Sequence, residues 1–202
     1  MQDIIATFIF FFAVIDPIGS VPVFIAVTSG YDARTKRQIA LQATAIATLI
    51  LLFFLVAGEV ILNAMDIPLA AFEIAGGIIL FLFALSMIFG ESKPEEEIKL
   101  ADKAGETAVF PLAVPSIASP GAMLAAVLMT ENNRFSAWEQ AETALIMLAV
   151  LVIVLVLLLA SNGIQRLIGA SGASIISRVM GMILASLAVA SVLGGITTYF
   201  VL

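Results

Sequence analysis

Asp16 is the only ionisable side chain in the middle of an apolar stretch of this chain, and Pro17 follows it directly. A lone carboxylate at membrane depth costs roughly 2.5–3.5 kcal/mol to insert, so beside a helix breaker it marks a functional site by default. The surrounding run is Ala13-Val14-Ile15-Asp16-Pro17-Ile18-Gly19-Ser20, and a second run has the same character: Val114-Pro115-Ser116-Ile117-Ala118-Ser119-Pro120-Gly121-Ala122. Asp-Pro and Ser-Pro each read as a helix start. Asp16 or Ser119 is the N-cap, and Pro17 or Pro120 takes the first helical position, where a missing N–H costs nothing. A start signal halfway along a membrane crossing predicts a broken helix. The backbone groups freed by the break are tolerated only inside the protein or against a polar cavity. Two positive half-helix ends meeting at mid-depth would receive a carboxylate. The expected donors are the N–H groups near Ile18, Gly19, Gly121 and Ala122. A substrate ammonium would meet Asp16 or the carbonyls around Ile15 and Ala118. The plainer alternative is that the prolines only kink their helices and Asp16 caps its own half-helix.

The elements that must hold these breaks are membrane spans. Marking every charged residue leaves a window at 4–31 interrupted only by Asp16, then charge-free runs at 38–58, 74–90, 107–130, 143–165 and 179–202. About 20 apolar residues at ~1.5 Å each cross a ~30 Å hydrocarbon core. Six spans is the natural count, with 74–90 a few residues short. A hydrophobic fraction of 62% and a mean hydropathy of +1.16 exceed soluble usage by a wide margin. Only Met1, Gln2 and Asp3 precede the first window, so a cleavable leader with a basic start is not expected.

With six spans, the loops after spans 1, 3 and 5 share one side. They carry Arg34, Lys36, Arg37, Lys93, Lys99, Lys103, Arg166 and Arg178, which leaves Arg134 alone on the other. The positive-inside rule therefore predicts a multi-pass protein of the plasma (inner) membrane, with both termini outside and those three loops cytoplasmic. Arg34, Lys36 and Arg37 then anchor span 2 at the cytoplasmic surface. Trp138, Tyr31 and Tyr199 fall where interfacial belts belong. Glu95, Glu96 and Glu97 lie in the 91–106 loop and read as a solvated connector; loop acids of this kind supply most of the net charge of −6.

The absences narrow the chemistry. With no Cys and no His, a thiol relay, a haem, a thiolate zinc site and a Ser-His dyad are excluded. An intramembrane aspartyl protease needs two carboxylates in one site, whereas Glu59, Asp66 and Glu73 flank the short turn between spans 2 and 3. The chain is therefore not expected to be an enzyme, and no cofactor is expected beyond a coupling H+ or Na+. Asp16 is the first candidate to carry a proton, and Glu59 the second candidate for a proton or gate residue, with an interfacial acid as its plainer reading.

An internal repeat is also legible. A shift of 104 positions lays Gly77, Ile79, Leu80, Ala84 and Gly90 on Gly181, Ile183, Leu184, Ala188 and Gly194, and a shift of 103 lays Pro17 on Pro120. Two units of three spans, 1–90 and 107–202, joined by the cytoplasmic loop 91–106 within a single transmembrane domain 1–202, would be inserted upside down relative to each other, as in many secondary transporters. The expected fold is thus an all-α membrane protein of six transmembrane helices in two inverted three-helix repeats, with spans 1 and 4 broken at mid-membrane.

These residues resemble the MarC/SnatA family of six-span membrane proteins, also called the neutral amino acid transporter family. The resemblance rests on Asp16-Pro17-Ile18-Gly19 with Val21-Pro22, on Ala57-Gly58-Glu59, and on Gly76-Gly77-Ile78-Ile79-Leu80-Phe81. It rests further on Phe110-Pro111-Leu112-Ala113-Val114-Pro115 and Arg178-Val179-Met180-Gly181-Met182-Ile183-Leu184, and runs the length of the chain. The family usually has Asn where Ser20 stands and Gly where Ser119 stands, so substrate preference does not carry over. The resemblance implies a transporter of small neutral amino acids such as glycine or alanine, distantly related to LysE-type exporters.

The substrate-binding set expected from both arguments is Asp16, Pro17, Ile18, Gly19, Ser20, Ser119, Pro120, Gly121 and Ala122. The expected partners are a small neutral amino acid and the lipid bilayer, without nucleic acid and with room for a homo-oligomer. An efflux protein or channel for another small solute, and a non-transporting membrane scaffold, are the competing readings.

Overall fold

The computed structural model describes residues 4–28, 30–89, 108–132 and 134–200, and all regular structure among them is helical. In chain order the helices are α1 (Ile4–Ile15), α2 (Ser20–Val27), α3 (Ala33–Ala64), α4 (Leu69–Phe89), an irregular segment Ala108–Ile117, α5 (Pro120–Leu128), α6 (Ala137–Leu159) and α7 (Ser161–Phe200). Among the described residues four helices are long and apolar enough to cross a membrane: α3, α4, α6 and the Arg178–Phe200 part of α7. The 91–106 connector, with Lys93, Lys99, Lys103 and the three consecutive glutamates, lies outside the described residues.

Local sequence explains where each helix starts and stops. Asp32 caps α3 by accepting the Thr35 N–H at 3.2 Å. Ser136 and Glu139 open α6 with a reciprocal capping box. At the other end of α3, Asp66 adopts φ 53° while its N–H and that of Ile67 bond back to Asn63 and Leu62 at 3.2 and 3.0 Å. That pattern is a Schellman closure, and an aspartate is one of the few side chains that tolerates its left-handed position.

The short segments are buried where they approach the two breaks. Phe11, Val14, Ile15, Val23, Leu112, Ala113, Ile117, Ala122 and Ala125 are wholly buried. The long helices bury one face and turn large apolar side chains outward, among them Phe53 and Val56 on α3, Leu82 on α4, Leu145 and Val152 on α6, and Leu193 on α7. An apolar exterior of this extent has no favourable solvent except lipid. Tyr31, Trp138 and Tyr199 are all exposed.

The closest helix pair is α4 with α7. A methyl group built on Gly77 would meet the Ala188 carbonyl at 3.0 Å, and one built on Gly181 would meet the Ala84 carbonyl at 3.1 Å. Gly195 approaches the Ala70 carbonyl in the same way at 2.9 Å. Partner numbers fall along one helix as they rise along the other, so the two run antiparallel, with backbones close enough that only glycine fits.

Two sequence expectations need correction. The connection after span 5 is not a long loop carrying Arg166 and Arg178; only Ala160 separates α6 from α7, and both arginines lie on a 40-residue helix. Charges mark the water boundary but do not end a helix, and 161–178 contains no proline to do so. The first half of span 4 is not a regular half-helix either. Phe110 and Val114 are extended, at φ −133° with ψ 125° and 126°, and each directly precedes a proline. Proline's ring excludes the helical region for its predecessor, so the turns widen, and the Ala118 N–H reaches the Ala113 carbonyl five residues back at 2.9 Å.

Candidate functional site

Both expected breaks are present as interruptions of helix, one between Ile15 and Ser20 and one between Ile117 and Pro120. At the first, the Asp16 N–H closes the last turn of α1 on the Phe12 carbonyl at 3.1 Å, and the residue then turns into the left-handed region at φ 50°. Its Oδ1 accepts the Gly19 N–H at 3.0 Å and its carbonyl accepts the Ser20 N–H at 3.2 Å. Asp16 thus ends one half-helix and caps the next while being only 1% exposed. Gly19 is required beside it, because a Cβ there would lie 2.1 Å from Asp16 Oδ2.

At the second break Ser119 is the N-cap, with Pro120 at the first helical position, and its Oγ accepts the Ala122 N–H at 3.1 Å. Ser119 is fully buried, whereas Pro120 is exposed.

The two breaks meet, and they do so reciprocally. The Ser119 hydroxyl, opening the second half of one interrupted crossing, donates to the Val14 carbonyl at the end of α1, 3.1 Å away. Ser20, opening α2, pairs with Ser116 at the end of the irregular segment, the Ser116 hydroxyl donating to Ser20 Oγ at 3.1 Å. Ser20 Oγ in turn lies 3.2 Å from the Asp16 carbonyl. Gly121 lets this crossing close, since a Cβ there would fall 2.9 Å from Val14 and 2.6 Å from Leu80.

Asp16, Pro17, Gly19, Ser20, Ser119, Gly121 and Ala122 are therefore buried in one region, with Ile18 half-buried at its edge. Of the four N–H groups expected to face a substrate carboxylate, those of Gly19 and Ala122 are taken by the chain's own caps. Sequence reasoning did not single out Ser116 or the Val14 carbonyl. A serine three residues before Ser119 in an apolar run was the available signal for the first; a carbonyl's partner leaves no signal at all.

Glu59 is not at the breaks. Its Oε2 accepts the Asn132 N–H at 2.7 Å, beyond the far end of α5, and Thr130 Oγ1 donates to the Leu55 carbonyl at 3.1 Å beside it. Glu131 pairs with Arg134 at 3.7 Å in the same turn. Burial pushes the Glu131 carboxyl above its ordinary range; Arg134 offsets part of that, and the Glu59 and Glu73 carboxylates add to it. Among the described residues no group of side chains is placed to hold a metal ion. What the crossing brings together is a buried, close-packed group of hydroxyls, backbone dipoles and one carboxyl side chain.

The family model described as MarC family integral membrane protein matches residues 1–200. A UPF0056 membrane protein of Methanocaldococcus jannaschii is 36% identical over 203 residues, covering 97% of each chain. The UPF0056 membrane protein YvbG of Bacillus subtilis is 32% identical over 98% of this chain and 95% of its own. The UPF0056 inner membrane protein YhgN of Escherichia coli K12 is likewise 32% identical, over 97% of both. No solved structure matches.

Proposed function

The chain belongs to the MarC family of integral membrane proteins, and we propose that it is a secondary transporter of a small neutral amino acid such as glycine or alanine, held where the two helix breaks cross. The observation that carries this reading is the reciprocal bonding of the breaks, Ser119 to Val14 and Ser116 to Ser20. A membrane protein has no structural need for two interrupted helices whose polar ends are buried against each other, and such ends are the usual material of a substrate site. In this reading the chain makes six crossings, two of them by paired short segments. The halves 1–90 and 107–202 are inverted repeats, and the termini lie outside with the basic ends cytoplasmic.

The α4–α7 contacts support the repeat: the 104-residue shift carries Gly77 to Gly181 and Ala84 to Ala188, and each glycine packs on the other repeat's alanine. A pseudo-two-fold axis through the pair produces that exchange. The burial of Asp16, Ser20, Ser116 and Ser119 to 1% or less supports an occluded state over an open channel. To bind, a substrate carboxylate would replace Asp16 and Ser119 as acceptor for the Gly19 and Ala122 N–H groups, and the released Asp16 would turn to the ammonium. No bond in the substrate is made or broken.

The test is flux of radiolabelled glycine and alanine into proteoliposomes, with and without a pH gradient. Saturable uptake of either, competed by the other, is the expected result. Absence of uptake in both orientations, together with no thermal stabilisation by millimolar glycine or alanine, would overturn the amino acid assignment.

A further inference from the structure

Where α2 ends and α3 begins, a cavity of about 330 Å3 opens between the core and the α6–α7 corner. Phe24, Leu158 and Leu159 line one part of it, and Lys36, Arg37 and Ser161 line another. Its size is that of a small ligand site, and its two halves ask for different things. Among the described residues neither Lys36 nor Arg37 forms an ion pair. The nearest acid in sequence, Asp32, is held at the α3 cap by Thr35. Among the described residues, then, no carboxylate neutralises the two cations, and an anion would suit them. Phe24 and Leu158 are almost wholly buried, and together with Leu159 they give the rest of the wall to an apolar group.

The position is equally specific. The basic cluster that opens α3 ends at Arg37 and the next 21 positions, 38–58, carry no charge, so the cavity sits at the edge of the hydrocarbon layer. We propose that it binds an anionic phospholipid, with Arg37 and Lys36 on the phosphate and the Phe24 and Leu158 side against the glycerol and first acyl carbons. Guanidinium and ammonium groups are the usual pair for a phosphodiester, and basic pockets between membrane helices at this depth select acidic headgroups. A free phosphate would use the cations and leave the apolar wall unexplained. A zwitterionic lipid would use the wall and bring its own cation to two others. The bound lipid would tie α2, which belongs to the buried core, to α3 and the α6–α7 corner. This proposal stands whether or not the protein carries an amino acid.

The experiment uses the full chain in a neutral detergent, titrated with short-chain phosphatidylglycerol, phosphatidylcholine or inorganic phosphate, reading thermal stability and bound lipid by native mass spectrometry. Phosphatidylglycerol should bind and stabilise while the other two do not. The K36Q/R37Q variant should lose about thirtyfold in affinity, and R34Q, altered on the same turn but outside the cavity, should bind as the native chain does. Because a double charge change can weaken folding, A33F provides a second arm: Ala33 also lines the cavity, so a phenyl ring there should block the lipid with both cations intact. Equal binding of phosphatidylcholine, reproduction of the effect by inorganic phosphate alone, or native affinity in K36Q/R37Q or in A33F would overturn the proposal.

Discussion

The Ser119 hydroxyl joins two elements 105 residues apart, donating to the Val14 carbonyl at 3.1 Å while accepting the Ala122 N–H at the same distance. One oxygen thus caps α5 and satisfies the last turn of α1. Ser119→Ala removes both bonds and leaves a buried carbonyl and a buried N–H without their acceptor or donor. The loss should be about 1–3 kcal/mol, read as a lowered Tm in detergent. Ser119→Thr keeps the hydroxyl and should lose less. An S119A protein as stable as the native chain would mean that water replaces the hydroxyl and that the crossing is wet.

Gly19 has no room for a side chain because the Asp16 carboxylate occupies the space a Cβ would take. Gly19→Ala must displace the Asp16 side chain from its cap and cost the Gly19 N–H its buried acceptor. We expect a loss larger than the ordinary 1–3 kcal/mol of overpacking. Expression followed by thermal unfolding measures it, and Gly30→Ala, where nothing lies within 4 Å, is the matched control that should be near neutral.

How much of this was legible in advance depends on the kind of signal. Asp-Pro and Ser-Pro announced both breaks because proline's missing N–H and fixed φ are local properties. The apolar windows located the long helices for the same reason. The widened turns at 108–117 were not read, although Phe110-Pro111 and Val114-Pro115 carry the cause in plain view; span-length windows average over four-residue detail. The uninterrupted α7 was misjudged because charge was taken as an ending. Bonds such as Ser119 to Val14 are tertiary, and nothing in either residue's neighbourhood names its partner.

The exchange of contacts between Gly77 with Ala188 and Gly181 with Ala84 makes a symmetric prediction. A Cβ on Gly77 would lie 3.0 Å, and one on Gly181 3.1 Å, from a backbone carbonyl that cannot move without its helix, so Gly77→Leu and Gly181→Leu should each force α4 and α7 apart. The two losses should match within about 0.5 kcal/mol, and the double variant should cost less than their sum because the helices separate only once. Additive, unequal effects would show that the two contacts are independent and the pseudo-symmetry superficial.

Asp16→Asn separates the structural and electrical roles of this residue. An amide oxygen can still accept the Gly19 N–H, and asparagine tolerates the left-handed φ of 50°. The variant should therefore fold with a Tm close to the native value. If Asp16 carries the coupling proton, amino acid uptake in proteoliposomes loses its pH dependence; uptake that keeps the native pH profile would clear Asp16 of that role and leave it a cap.

Glu131 gives the pH prediction with its sign. Burial is the largest influence on its carboxyl and raises its affinity for a proton, the Arg134 contact at 3.7 Å opposes this, and the neighbouring Glu59 and Glu73 carboxylates reinforce it. The folded chain therefore holds this proton more tightly than the unfolded chain does. Folding is unpenalised below the ordinary glutamate range near pH ~4.3, and stability falls as pH rises from there through the raised folded value, then stays level. Glu131→Gln cannot ionise, so it should be the more stable protein at pH 7 and converge on the native chain as pH drops to about 4. Asn132 keeps its bond to Glu59 in both, so the difference reports on the one carboxyl. Thermal unfolding of the pair across this range decides it: a glutamine variant less stable than the native chain at pH 7 would show that the Arg134 ion pair outweighs the cost of burying the charge.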